Sequence, residues 1–262
     1  MIEKLDNKLV KEEIIKNGYC ILDNYLSSQD IDNIKQSLLK TLHYIKPDNE
    51  TDLEKKYYQI KKYNPTLKGN WFDVITSDIC ILQYLYAPAI INFVKEYFNT
   101  KVVFSGRRHV NVFDDENNKL LPAHQETQQL AGDCLAIWSP LYDTNINNGG
   151  LAIYKNSHKN GYFKHSREKA RSGDKRWTGG YNGVDADTIK RFERIELEVK
   201  AGSAVLFHSR ILHCSYPSKK KGGLRIVITE RYNPLQKIPF LKDEKAPMNI
   251  PMEGVDYNKI SD

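Results

Sequence analysis

The sequence predicts an α+β fold in which helices come first and a sandwich or barrel of short strands follows. Three observations carry this prediction. Apolar residues recur at helical spacing through the first third of the chain. From Lys101 onward the apolar runs become short, β-branched and aromatic. Clusters of Asn and Gly punctuate those later runs as turns.

Taken in order, Val10, Ile14 and Ile15 follow helical spacing and Gly18 offers a stop. Tyr19-Cys20-Ile21-Leu22 reads as a short strand. A second helix starts near Ser27, where Asp30 stands at capping-box distance, and Ile31, Ile34, Leu38 and Leu42 form its buried stripe. A third helical region covers roughly Asp78 to Phe98, divided by Pro88 as the first residue of a new helix. Val102, Val103 and Phe104 open a strand run that continues through His109-Val110-Asn111-Val112-Phe113. Further strands are expected at Cys134–Tyr142, Leu151–Tyr154, Ile195–Val199, Ser203–Phe207 and Leu224–Arg231. Asn147-Asn148-Gly149-Gly150 and Lys221-Gly222-Gly223 supply turns. No repeat or low-complexity linker interrupts the chain. The expectation is one domain over residues 1–262, with a helical part at 1–100, a β core at 101–235 and a tail at 236–262.

Composition narrows the class. Of 262 residues, 40% are apolar and 11% aromatic, enough to build a core and too apolar for an intrinsically disordered chain. Thirty-nine Lys and Arg against 33 Asp and Glu leave +6, a mild excess that does not argue for nucleic acid. Cys20, Cys80, Cys134 and Cys214 lie far apart with no C-x-x-C pair, which excludes a sequence-readable zinc finger or disulfide framework and suits a reducing cytoplasm. The start of the chain is charged, and the most apolar stretch, Ile79–Val94, is broken by Gln83, Pro88 and Asn92. No leader or membrane span is therefore expected. Nothing in the sequence fixes an oligomeric state.

One stretch stands apart. Between Lys159 and Arg176 seven basic residues face only Glu168 and Asp174, a local excess of +5 (7 − 2). It reads as a long surface excursion of the kind that lids a site. Lys169, Arg171, Lys175 and Arg176 are its candidates for drawing in an anionic small-molecule substrate. A solvated charged loop is the competing reading.

The chemistry-bearing residues lie in the second half. In an extended segment, residues two apart share a side, so His124 and Glu126 can grip one metal ion together. With a second imidazole they would form the facial triad that leaves positions open on Fe(II). Alone, H-x-E is a weak signal, because seven histidines make chance pairs common. Two partners are on offer, His208 and His213. They are five apart and would face opposite ways on a regular strand, so one of them is expected to bind. Context favours His213, since Arg225 follows twelve residues later inside the strand Leu224-Arg225-Ile226-Val227-Ile228-Thr229. Alternation puts Leu224, Ile226 and Ile228 on one face and Arg225, Val227 and Thr229 on the other, with Arg231 further along the second face. An arginine in so apolar a strand is costly unless it meets an anion, either a protein carboxylate or the carboxylate of a small molecule.

At this point a resemblance emerges. Pro122-Ala123-His124-Gln125-Glu126, Ala136-Ile137-Trp138-Ser139-Pro140-Leu141-Tyr142-Asp143, Asn148-Gly149-Gly150-Leu151 through Asn156-Ser157-His158-Lys159, and Gly202-Ser203-Ala204-Val205-Leu206-Phe207-His208 through Arg225 occur in order. Together they resemble the phytanoyl-CoA dioxygenase family of Fe(II)/2-oxoglutarate-dependent oxygenases over roughly Val102 to Asn233. The resemblance implies a double-stranded β-helix (jelly-roll, cupin-like barrel) flanked by N-terminal helices. It also implies iron held by His124, Glu126 and His213, with 2-oxoglutarate held by Arg225, Ser215 and Trp138. Trp138 has ordinary core packing as its rival reading, and His158 reads as a strand-end anchor. The implied reaction consumes 2-oxoglutarate and O2, releases succinate and CO2, and hydroxylates an unactivated C–H bond of a small metabolite. No protein nucleophile or acid–base pair is required. Glu126 stands where the family usually has Asp, which keeps the charge and adds a methylene. Its presence disfavours halogenation, which needs that ligand position vacated. Epimerisation or other oxidative chemistry on the same fold, and a metal-free binding module, stay as alternatives.

Overall fold

The computed structural model describes residues 4–106, 108–114, 121–126, 132–167, 182–218 and 223–237. Helix α1 (Asn7–Asn17) starts where the Asp6 side chain accepts from the Leu9 N–H and stops at Gly18, whose φ of 86° a side chain would strain. Val10 and Ile14 are buried, but Ile15 is 57% exposed, so the expected stripe is one residue too wide. Strand β1 (Tyr19–Leu22) follows as expected. Ser27 then opens α2 (Ser28–Ile45) with the full reciprocal capping box to Asp30, and Ile31, Ile34, Leu38 and Leu42 are all buried.

Two helices escape the sequence pattern: α3 (Leu53–Tyr63) and α4 (Pro65–Ile75). The reason is chemical. The buried stripe of α3 is Leu53, Lys56, Tyr57 and Ile60, and a lysine does not read as core. Lys56 is tolerated there because its ammonium pairs with Asp48 at 2.6 Å and donates to the Lys46 carbonyl at 2.5 Å. Asp52 caps α3, and Asn64 with Pro65 at the first turn caps α4, so start signals were present without an apolar stripe to support them. Helices α5 (Ile79–Leu85) and α6 (Pro88–Tyr97) divide at Pro88 as anticipated.

Eleven strands complete the described residues: β2 (Val103–Ser105), β3 (His109–Phe113), β4 (Leu135–Pro140), β5 (Gly150–Tyr154), β6 (His165–Arg167), β7 (Asn182–Val184), β8 (Arg194–Glu196), β9 (Ala204–His208), β10 (His213–Tyr216) and β11 (Arg225–Pro234) join β1, and a short α7 (Ala186–Ile189) follows β7. All pairings are antiparallel. The main sheet runs β1-β9-β4-β11, with β3 and β2 on successive stretches of the far edge of β11. The second sheet runs β10-β5-β8.

The alternation read along Leu224–Thr229 decides how these layers stack. Leu224, Ile226 and Ile228 join Val110, Val112, Leu135 and Ile137 in one core with Ile34, Leu38 and Ile90 of the helices. The opposite face of the main sheet presents Ala136, Val205 and Phe207, which pack against Leu151 and Ile153 of the second sheet. Helices therefore cover one face and the second sheet the other, and the site lies between the sheets. A slip of one residue in β11 would turn Arg225 and Arg231 into the helical core, so burial pins the register. Lys169, Arg171, Lys175 and Arg176 lie outside the described residues, as does the tail from 238 onward.

Candidate metal centre

The His124 segment and β10 come together through a reciprocal pair of backbone bonds. The His124 N–H donates to the His213 carbonyl and the His213 N–H to the His124 carbonyl, each at 3.0 Å, while the Glu126 N–H donates to Ser209 O at 3.0 Å. These bonds hold the two segments side by side, with the imidazole centroids 4.2 Å apart. Potential ligand atoms of His124, Glu126 and His213 all lie within 4.8 Å of one another, and Glu126 Oε1 stands 3.4 Å from His213 Nε2.

The surrounding groups prepare these atoms for a cation. Nδ1 of His124 lies 2.7 Å from the Pro122 carbonyl and Nδ1 of His213 lies 3.0 Å from the Ile211 carbonyl. A carbonyl can only accept, so each Nδ1 carries a proton and each Nε2 is the atom turned toward the cluster. Burial, with His213 beside it, pushes the His124 ring down to about 3, so it stays neutral at any ordinary pH. Burial alone would raise the Glu126 carboxyl, but the Arg231 guanidinium and the His213 contact hold it well below the usual carboxylate range. Two imidazoles and one carboxylate, with ligand atoms this close together, fit a divalent ion of the non-haem iron type.

The segment between the ligands is also pinned. Gln125 is fully buried. Its side-chain amide donates to the Gly161 and Arg210 carbonyls and accepts from the Phe163 N–H, while its backbone N–H donates to His165 Nε2 at 3.0 Å. Of the two later histidines, His213 is the one that lies in the cluster with His124 and Glu126. His208 Nδ1 accepts from the Arg210 N–H at 3.1 Å, burial pushes it down to about 4, and it is not part of the ligand cluster. His158 Nε2 lies 3.1 Å from Ile15 O, tying the strand-end loop to α1.

Arg225 and Arg231 share the inner face of β11 but have opposite fates. Arg231 donates to Glu126 Oε1 at 2.6 Å and to Thr229 Oγ1 at 3.0 Å. Arg225 is buried without a carboxylate partner among the described residues. Its Nη1 donates to Asn148 O at 3.3 Å, its Nε has no partner, and its guanidinium lies 4.2 Å over the Phe113 ring. Burial pushes it down to about 10. It sits at the far end of β10 from His213: a Cβ on Gly149, where φ is 74°, would come within 2.5 Å of Arg225 Nη1 and 2.7 Å of Tyr216 O. Ser215 lies between, two residues past His213 on β10 and half-buried. Trp138 is half-buried opposite Thr229, in register between Arg225 and Arg231, and packs against the inter-sheet cluster. The ion pair of Arg231 with Glu126 was not legible as such. Alternation placed Arg231 on the inner face, but the chain separation of 105 residues hid its partner.

Solved structures share this architecture. The epimerase SnoN in complex with Fe3+, alpha-ketoglutarate and nogalamycin RO matches with a TM-score of 0.59 and 13% identity, covering 98% of this chain and 89% of SnoN. EvdO2 from Micromonospora carbonacea var. aurantiaca, complexed with 2-oxoglutarate, matches with a TM-score of 0.57 and 15% identity over 89% and 93% of the two chains. The phytanoyl-CoA dioxygenase family profile, which this chain matches over residues 14–225, places the protein in the class of 2-oxoglutarate-dependent non-haem iron oxygenases, enzymes that use Fe(II), 2-oxoglutarate and O2. Within that class, human peroxisomal phytanoyl-CoA dioxygenase is 23% identical over 83% of this chain and 67% of its own length, and a probable phytanoyl-CoA dioxygenase of Caenorhabditis elegans is 23% identical over 79% and 69%. The chain belongs to the phytanoyl-CoA dioxygenase family.

Proposed function

We propose that this enzyme hydroxylates an unactivated C–H bond of a small, anionic metabolite. The observation that carries the reading is a buried guanidinium, Arg225, with no counter-ion among the described residues, facing the same space between the sheets as a three-ligand set. His124, Glu126 and His213 would hold Fe(II), and Arg225 would take the distal carboxylate of 2-oxoglutarate through paired N–H bonds. Ser215 would donate to the same carboxylate, and Trp138 would wall the co-substrate. When bound, the iron with 2-oxoglutarate and O2 supplies the oxidising power for C–H cleavage, with succinate and CO2 released. The chain's part is to bind, orient and exclude water. Two Nδ1–H bonds fix the imidazoles, Arg231 fixes the carboxylate, and the two sheets supply the dry walls. Strand order and the two packed sheets support a jelly-roll within one catalytic domain spanning 1–262. Four free cysteines support a cytoplasmic setting, and no helix among the described residues is long and apolar enough to cross a membrane. The basic stretch, with Lys169, Arg171, Lys175 and Arg176, supports an anionic substrate.

Anaerobic protein loaded with Fe(II) and 2-oxoglutarate and then exposed to O2 should release succinate, and His213→Ala should not. A silent wild type would reject the reading. Neutralising the four basic residues should raise the KM for substrate and leave that for 2-oxoglutarate unchanged. A second outcome, epimerisation, is favoured by the likeness to SnoN. Labelled O2 separates the two, since hydroxylation places one of its atoms in the product and stereochemical inversion does not.

A further inference from the structure

We infer that Arg231 is a positioning residue for the metal site: it grips the Glu126 oxygen that faces His213 and so confines the carboxylate to one rotamer beside the two imidazoles. The inference rests on the metal reading above and adds a role beyond its three ligands. Arg231 Nη2 donates to Glu126 Oε1 at 2.6 Å; the carboxylate is buried and the arginine side chain is 12% exposed. Thr229 Oγ1 receives Arg231 Nη1 at 3.0 Å and is itself bonded to the His109 carbonyl at 3.3 Å, so the guanidinium is steered from the sheet. Glutamate has one more rotatable bond than aspartate and more freedom to lose on binding. An arginine locked by its own strand removes that freedom, and the burial of Glu126 makes the loss of the arginine costly, because Glu126 would be left as a lone buried charge.

The test is metal binding, read apart from turnover. Wild type, Arg231→Lys, Arg231→Gln and Thr229→Val are titrated with Co(II), following the visible absorption bands that report coordination number. Wild-type binding verifies the underlying reading, and its absence would reject that reading for reasons unconnected with Arg231. Given wild-type binding, Arg231→Gln should weaken Co(II) roughly 10–100-fold, the usual effect of losing a partner behind a metal ligand. Arg231→Lys, which keeps charge and one donor, should recover part of the loss. Thr229→Val removes only the hydroxyl that steers the guanidinium and should weaken binding in the same direction. It carries the test alone if Arg231→Gln does not fold. Wild-type affinity and unchanged bands in whichever of these two variants folds would overturn the inference.

Discussion

Arg225→Met separates a binding guanidinium from a structural one by its effects on two quantities. Burial holds Arg225 near 10 against an ordinary 12.5, which corresponds to about 3 kcal/mol against keeping the charge in this environment. Two contacts offset that cost in the free protein. The Phe113 face, 4.2 Å away, contributes about 1–2 kcal/mol, and the Asn148 carbonyl contributes about 1 kcal/mol. The sum is near zero, and methionine can still pack on Phe113. Free Arg225→Met should therefore unfold in urea within about 1 kcal/mol of wild type. Its affinity for 2-oxoglutarate should change much more. Paired N–H bonds to a carboxylate contribute about 3 kcal/mol, so calorimetric titration of the anaerobic Mn(II) protein should show Kd rising about 100-fold. Unchanged affinity, with a free protein destabilised by several kcal/mol, would show that the arginine serves the fold and that the charge argument is mistaken.

Other perturbations probe the rest of the design. His213→Ala should abolish Co(II) binding while His208→Asn, which keeps an acceptor for the Arg210 N–H, retains it; the reverse would move the third ligand to His208. His208 also gives a pH signature. Its folded value near 4 lies below the ordinary 6.5, so its contribution is fully present above pH 6.5 and is lost as acid protonates the unfolded chain first. At pH 5 that loss is about 2 kcal/mol, and urea titrations should show His208→Asn losing that much less between pH 7 and pH 5 than wild type. Parallel curves would mean the ring is not held neutral. Gly149→Ala should both destabilise the fold and weaken 2-oxoglutarate binding, because its φ of 74° is strained for alanine and the added methyl group would press on Arg225. Leu38, fully buried under the main sheet, should cost about 3 kcal/mol as alanine by urea unfolding, and a cost under about 1 kcal/mol would mean that α2 does not pack as described.

Local chemistry made several features legible in the chain. The Ser27/Asp30 box, the Gly18 stop and the Pro88 division each depend on residues a few positions apart, and the structure reproduces them. Alternation along β11 determined which residues face the helices and which face the site, because side-chain direction in a strand follows parity alone. His-x-Glu and the later histidine were visible as donors, since the chemistry of a ligand set is written in residue types. Helices α3 and α4 were missed because a buried lysine interrupts the apolar stripe, and only the position of Asp48 makes Lys56 acceptable inside.

What the tertiary structure alone decided was pairing at long range. The sequence already favoured His213 over His208, but the reciprocal backbone bonds that seat it beside His124 were not legible, and the divergence of Arg225 and Arg231 came from where Glu126 lands. Two arginines on one face of one strand look alike in sequence. One became a carboxylate's partner and the other has none among the described residues, because electrostatic energy depends on distances of a few ångströms that spacing along the chain does not encode.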